Sequence, residues 1–288
     1  MSPTPLIAVD VGNSRIKLGL FLQTVDAGLP EPQTTLHLTG RLPEFEQLDA
    51  WLANPPLAPG EGAGHLRWHI ASVNRPAASR LIDWLRDHRP GDEIMLLTSG
   101  DLPLVVKLPR PDMVGVDRLL DALAANRLRG PGRPAVVVDV GSAITVDLVD
   151  ADGAFLGGAI LPGIAMSARA LHELTDLLPR IEMAELAEPP PALGTATVAA
   201  MRAGLFWGAV GAVRQLVEQL TGGQHVPMVG EAEIFLTGGA APVVAQLMGA
   251  AARYVPHLTL AGIALADGSG AAQDPGHLRG GSASAGRP

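Results

Sequence analysis

Cysteine does not occur anywhere in the 288 residues, which excludes disulfides, thiol nucleophiles and thiolate metal sites. Basic charge is also short: 21 Lys and Arg stand against 29 Asp and Glu, a net charge of −8. That balance, with a pI near 5.4, argues against generic nucleic-acid binding. Nowhere do about 18 apolar residues run without a charge, so no membrane span is expected. The start, Met1-Ser2-Pro3-Thr4-Pro5, lacks the basic segment and long apolar core of a secretory signal. The eight histidines show no ligand spacing, so no transition-metal site is expected. These absences point to a soluble cytoplasmic protein with neither a membrane nor a nucleic acid as partner.

Apolar side chains are plentiful, at 47% against 17% charged. They allow a sizeable core, and the length suits two domains of ordinary size. The chain is organised around the stretch from Ile7 to Phe21. An apolar run, Leu6 to Val9, ends in the lone carboxylate of Asp10, a Gly12-Asn13-Ser14 turn follows, and Ile16 to Phe21 alternates as a strand. Gly and Asn tolerate positive φ, and Gly lets a ligand approach the backbone closely. A turn offering amides, a hydroxyl and Lys17 suits phosphate oxygens, with Asp10 placed to face a metal–phosphate complex. Taken alone, the stretch is equally compatible with a solvated hairpin. A second copy shifts the balance. Ala135 to Val149 repeats the apolar run, Asp-Val-Gly (Asp139-Val140-Gly141), small residues including Ser142, and an alternating strand. The copies lie about 129 residues apart, roughly one domain length, which suggests duplication with a nucleotide in the cleft between the halves.

In chain order, further strands are expected at Thr35–Thr39, Leu66–Val73, Glu93–Thr98, Leu104–Lys107, Ala154–Gly163, Glu233–Leu236 and His257–Ala264. Helices are expected at Pro43–Leu52, Pro76–His88, Leu119–Arg129, Ile164–Leu178, Val198–Leu220 and Pro242–Ala252. Asn54–Gly64 and Glu185–Thr197 read as loops, and the Gly/Ser/Ala-rich tail from Asp267 as disordered. Three strands in succession differ from a Rossmann unit, where the glycine loop feeds a helix directly. Gly204, Gly208 and Gly211 mark the long helix as one able to pack closely.

At Gly115-Val116-Asp117-Arg118, a proline-stiffened loop delivers an acid and a base to the start of a helix. Asp117 fits a helix cap. Arg118 in the first turn opposes the helix dipole, and the pair fits an acyl or phosphate substrate better. Gly157-Gly158 within a strand marks a close backbone or ligand approach. Thr237-Gly238-Gly239 between a strand and a helix suits a nucleotide base or ribose, although Gly-Gly alone is a weak signal.

Asp-Val-Gly-Asn-Ser-x-x-Lys, Gly-x-Asp-Arg, Asp-x-Gly-Ser-Ala-x-Thr-x-Asp, Gly-Gly-x-Ile-x-Pro-Gly and Thr-Gly-Gly occur in this order. Together, over roughly residues 5 to 266, they resemble the type III pantothenate kinases. The resemblance implies an α/β fold of two duplicated ribonuclease-H-like (actin-like ATPase) halves, 1–117 and 118–268, with a nucleotide cleft between them and 269–288 as a tail. It implies phosphorylation of pantothenate by ATP with Mg2+, the first step towards coenzyme A, by a homodimer needing a monovalent cation, K+ or NH4+. Matched position by position, Asp10, Val11, Gly12, Asn13, Ser14, Arg15, Ile16 and Lys17 would hold the ATP phosphates, with Ser142 also on the nucleotide. Asp139 would ligate the monovalent cation. Gly115, Val116, Asp117 and Arg118 would bind pantothenate, Asp117 acting as base, and Thr197 would reach the pantothenate of the partner subunit.

One departure concerns the acceptor pocket. Leu108 stands where the family commonly has Tyr, and Arg110 where it has Asn. Arg110 is close enough in sequence to offset the lost contact by pairing with a substrate carboxylate. A sugar or acetate kinase would keep both Asp-x-Gly turns but lack the Gly-x-Asp-Arg junction. A kinase for another small hydroxyl acceptor, or a regulatory accessory factor that retains ATP binding, are the competing readings.

Overall fold

The computed structural model describes residues 4–22, 28–39, 45–53, 65–182, 188–222, 231–249 and 252–267. The expected loop at 54–64 and the tail from 268 onward lie outside the described residues, as does part of the loop at 185–197.

Two five-stranded sheets carry the fold. The first contains β1 (Leu6–Val11), β2 (Arg15–Phe21), β3 (Thr34–Thr39), β4 (Arg67–Ser72) and β5 (Glu93–Leu96), in spatial order β3-β2-β1-β4-β5. The second contains β6 (Ala135–Val140), β7 (Ala143–Val149), β8 (Phe155–Pro162), β9 (Glu233–Thr237) and β10 (Ala252–Tyr254), in order β10-β9-β6-β7-β8. Read from the opposite edge, the second order is the first one repeated. Pairing senses repeat as well. β1 runs antiparallel to β2 and parallel to β4, and β6 runs antiparallel to β7 and parallel to β9. The duplication suggested by the two Asp-Val-Gly units is therefore a duplication of topology, giving the two ribonuclease-H-like halves of an actin-like fold.

Strand parity builds the layers, because successive side chains on a strand point to opposite faces. Ile7, Val9 and Val11 of β1 enter one apolar cluster with Leu81 and Leu85 of α2 (Arg75–His88), while Leu6 and Ala8 enter another. In β6, Val136, Val138 and Val140 pack with Phe206 and Val210 of α5 (Thr197–Thr221), and Ala135 and Val137 join Leu6 and Ala8. The shared cluster is built on α3 (Val116–Leu128) and α7 (Leu258–Asp267), which lie between the two sheets. This is why β1 and β6 read as nearly unbroken apolar runs: both faces of each are covered.

Several expected elements differ. His257–Ala264 is the helix α7, not a strand. Nearly every residue from Leu258 to Ala266 is buried, so no polar face exposes the helical period, and a short apolar run is ambiguous between strand and helix. The last strand is instead β10, paired in parallel with β9, where a helix to Ala252 was expected. α6 (Ala241–Met248) stops before Gly249, which takes φ +82°. Leu104–Lys107 forms no strand; Val106 makes a single bridge to Phe155 at the start of β8. α4 (Ile164–Glu173) ends a turn early, with Leu174 at its C-cap. Gly204, Gly208 and Gly211 of α5 face open space, not a neighbouring helix of this chain.

α3 and α7 touch most closely at Gly262, where a Cβ would collide with the Leu120 carbonyl. Gly262→Ala should therefore force the two helices apart and cost about 1–3 kcal/mol of overpacking strain, read as a lower midpoint in urea unfolding. An unchanged midpoint would mean that the middle layer is looser than its packing indicates.

Candidate active site

The parity that fills the middle layer with apolar side chains also aims charge into it. Asp10 follows Leu6 and Ala8 on the same face of β1, and Asp139 follows Ala135 and Val137 on β6. Lys17 lies directly across the hairpin from Asp10, and its Nζ is 3.2 Å from Asp10 Oδ2. At the matching position of the second hairpin, Asp139 faces Thr145. One hairpin thus carries an acid and a base, and its duplicate carries an acid alone.

The turns meet across the cleft. Gly12 N–H bonds the Arg15 carbonyl at 3.1 Å and Gly141 N–H the Ala143 carbonyl at 3.0 Å. Ser14 Oγ then lies 2.6 Å from Ser142 Oγ. Asn13, Ser14 and Arg15 are exposed, whereas the side chains of Val11 and Ile16 are buried on the outer face, so these two can offer a phosphate only their backbones. Asn74, the N-cap of α2, donates from Nδ2 to the Gly12 carbonyl at 3.3 Å and accepts from Ala77 N–H, which ties the first turn to that helix. A cavity of about 510 Å³ opens beside the paired turns. Its walls include Ile164 and Met166 of α4, Phe206 of α5 and Val243 of α6, with Arg15 and Arg169 as its cations. An apolar chamber beside two amide-rich turns matches a nucleoside triphosphate: base in the chamber, phosphates at the turns.

Around α3 the charges crowd. Gly115 caps the helix, and a Cβ there would come 2.5 Å from Asp117 Oδ1. Val116, although matched to the acceptor motif, is buried among the middle-layer apolar residues. Asp117 accepts from Arg118 N–H at 2.8 Å, and burial pushes its pKa up, with Asp10 and Asp147 adding to the rise. Arg118 is not free. Its Nε reaches Asp147 Oδ1 at 3.2 Å and Oδ2 at 3.0 Å, Nη2 adds a further bond to Oδ1, and the guanidinium lies 5.5 Å from the Phe155 ring centre. The partner Asp147 closes the second sequence motif, and the same odd parity that puts Val149 in the middle layer aims it there. Lys17 is held above its usual range: burial opposes, but Asp10 and then Asp139 prevail. Asp139 is pushed up to about 6 by burial, and its Oδ1 has no partner among the described residues.

Sequence reasoning passed over Asp121, one turn beyond Asp117 on α3 and buried completely. A carboxylate four residues after a functional one on a middle-layer helix was the available signal. Thr197, by contrast, begins α5 as an exposed residue, and no described contact joins it to Asp117 or to either turn. Leu108 packs, half-buried, against the middle-layer cluster and over Gly157, whose φ is +102°. Arg110 is already forked onto Asp112, at 3.0 and 2.8 Å, with both side chains exposed.

Among the described residues no group of three or more His, Cys, Asp or Glu could hold a metal ion. Mg2+ nevertheless fits here, because it dehydrates reluctantly and is commonly held by one or two carboxylates with substrate phosphates. Asp10, beside the first turn, is the carboxylate in place for it.

An aspartate whose native pKa exceeds its unfolded value destabilises the fold once ionised. For Asp139 that penalty is absent well below 3.8, grows as pH rises, and is complete above about 6. In buffer containing only bulky organic cations, Asp139→Asn should therefore be more stable than wild type at pH 7 by on the order of 2–3 kcal/mol. The difference should shrink as pH falls toward 4, measured by urea unfolding. Equal stability at pH 7 would mean that Asp139 is not desolvated.

A sequence model of type III pantothenate kinase matches residues 6–219. A type III pantothenate kinase of Acidiphilium cryptum (strain JF-5) is 39% identical over 260 residues, which is 90% of this chain and 92% of that protein. Another, of Paramagnetospirillum magneticum, is 34% identical over 263 residues, 90% of this chain and 95% of that one. Among solved structures, MreB5 of Spiroplasma citri bound to ADP aligns with 92% of this chain and 96% of its own at 9% identity, with a TM-score of 0.48. An inorganic polyphosphate/ATP-glucomannokinase from Arthrobacter sp. strain KM aligns with 91% and 98% at 18% identity and a TM-score of 0.44. With that model spanning most of the folded chain and these relatives aligned over nine-tenths of it, the chain belongs to the type III pantothenate kinase family.

Proposed function

We propose that this protein phosphorylates pantothenate with ATP to give 4'-phosphopantothenate, the first step of coenzyme A biosynthesis, in the cytoplasm. The observation that carries the reading is the meeting of the two turns through Ser14 and Ser142 at 2.6 Å. Beside them Asp117 feels the charges of Asp10 and Asp147. Donor phosphate and acceptor hydroxyl can then share one dry cleft. ATP consumption with and without pantothenate, in K+ and Mg2+, tests it directly. No pantothenate-dependent consumption would favour another small hydroxyl acceptor or a regulatory role.

Phosphoryl transfer needs the attacking and leaving oxygens in line and the charge on the transferred group neutralised. The amides of Gly12 to Arg15 and of Gly141 and Ser142 bind the phosphates, and Lys17 supplies positive charge beside them. Bound Mg2+ bridges phosphate oxygens and withdraws charge from the leaving group. Asp117 accepts the proton of the acceptor hydroxyl; its raised pKa makes it a better proton acceptor than an ordinary aspartate. Arg118, fixed by Asp147 and Phe155, orients the acceptor without swinging, since the fork holds its plane. The carboxylate of pantothenate can draw Arg110 off Asp112, because an exposed ion pair contributes less than about 1 kcal/mol.

Asp139 fits the monovalent cation, K+ or NH4+. Its Oδ1 is buried without a partner, and a Cβ on Gly238 would collide with that oxygen, so the backbone closes round it. The homodimer is supported by α5, whose Gly204, Gly208 and Gly211 face open space, and by exposed Leu174, Leu177 and Leu193 nearby in sequence. Thr197 at the start of α5 would then reach the partner's pantothenate.

Two outcomes are expected. Asp117→Asn should leave ATP affinity nearly intact and lower turnover at least about 100-fold; near-normal turnover would remove Asp117 from the chemistry. Light scattering should give a dimer, and Gly208→Arg a monomer with weakened pantothenate turnover. A fully active wild-type monomer would refute the shared site.

A further inference from the structure

Asp121 has no role in the mechanism above, yet its burial is expensive. Its side chain is 3% exposed, on α3 one turn beyond Asp117. Thr259 of α7 hydrogen-bonds one carboxyl oxygen. The other, Oδ1, has no partner among the described residues. No Lys or Arg pairs with it in the described ion pairs. Burial pushes its pKa well up, and Asp139 is the foremost charged neighbour raising it further, with Asp117 adding to the effect and Lys17 opposing.

Two carboxylates thus approach each other in the dry middle layer, one from α3 and one from β6, and each presents an orphaned buried oxygen. An unpaired buried acceptor is costly, and two that repel are more so. What both lack is a single positive charge between them. Only two carboxylates converge, the remaining donors are a threonine hydroxyl and backbone, and Lys17 already stands on the far side of Asp139 from α3's charges. That sparse donor set suits a large, weakly hydrated monovalent ion better than Mg2+, which demands compact octahedral coordination.

We infer that Asp121 is a second carboxylate ligand of the monovalent cation, binding it jointly with Asp139 so that the ion clamps helix α3 to strand β6. The inference rests on the reading of Asp139 as a cation ligand and adds a residue to it. The clamp has a consequence for the reaction: Asp117, four residues before Asp121 on the same helix, is positioned by the ion without touching it.

The test is thermal unfolding of the full-length protein in choline chloride, titrated with K+ or NH4+ and, at equal ionic strength, with Na+. Wild type should be stabilised along a saturating curve by K+ and NH4+ and much less by Na+. Asp121→Asn, which keeps the shape of the neutral acid, should raise the K+ midpoint by about 10-fold or more, the scale of losing a group that supports a metal. Asp139→Asn should do the same, and the surface variant Asp112→Asn should not. If Asp121→Asn keeps the wild-type midpoint while Asp139→Asn loses it, Asp121 is a buried neutral acid and the inference fails, with the Asp139 site intact. A wild type that responds alike to K+, Na+ and choline overturns both. Should Asp121→Asn not fold, Asp121→Ser provides the same comparison.

Discussion

A carboxylate at the buried end of a central strand is tolerated only where something of opposite charge compensates it, because desolvating an isolated charge costs several kcal/mol even after relaxation. Four such groups (Asp10, Asp117, Asp121 and Asp139) lie around one helix pair here, and Lys17 is the cation they share. Burial raises Asp117, Asp121 and Asp139, so the cleft is assembled in a state of charge imbalance. Cations brought by the substrate and from solution relieve it. Binding a metal–nucleotide complex and a monovalent ion is then favoured by the same repulsion that makes the empty layer costly.

The duplication supplies the geometry and the differences supply the chemistry. Both halves present a hairpin turn at the same end of the same central strand, and the shared helices α3 and α7 bring the turns face to face. Lys17 opposes the acid in the first copy and Thr145 does so in the second. That one change divides the labour: the first turn has a positive charge to offer a phosphate, and the second leaves its acid bare for a cation.

Arg118 and Asp147 make the firmest contact in the site. A bidentate fork between buried partners, with a ring beneath the guanidinium, holds the arginine in one plane. Deleting either partner would strand a buried charge, at about 3–5 kcal/mol. The pair therefore acts as a rigid edge of the acceptor pocket, whereas Arg110 and Asp112 form an exposed pair that can open. Leu108, packed over Gly157, makes the remaining wall apolar.

The strands next to both turns, the turns themselves and the Gly115–Arg118 junction were legible in the sequence, because each is a local matter. Apolar runs ending in Asp, glycines at turns and an acid at a helix start need only a few neighbouring residues to be recognised. α7 was illegible for the converse reason: buried on every side, Leu258 to Ala266 has no polar face to betray its period. Strand parity, readable in principle, determined that Asp10, Lys17, Asp139 and Asp147 point to one side of their sheets. Only the tertiary structure decided that the two sheets turn those sides toward each other, with α3 between them. The partner of Arg118, the orphaned oxygens of Asp121 and Asp139, and the contact of Ser14 with Ser142 across 128 residues of chain all follow from that packing, since hydrogen bonding and desolvation act through space and not along the sequence.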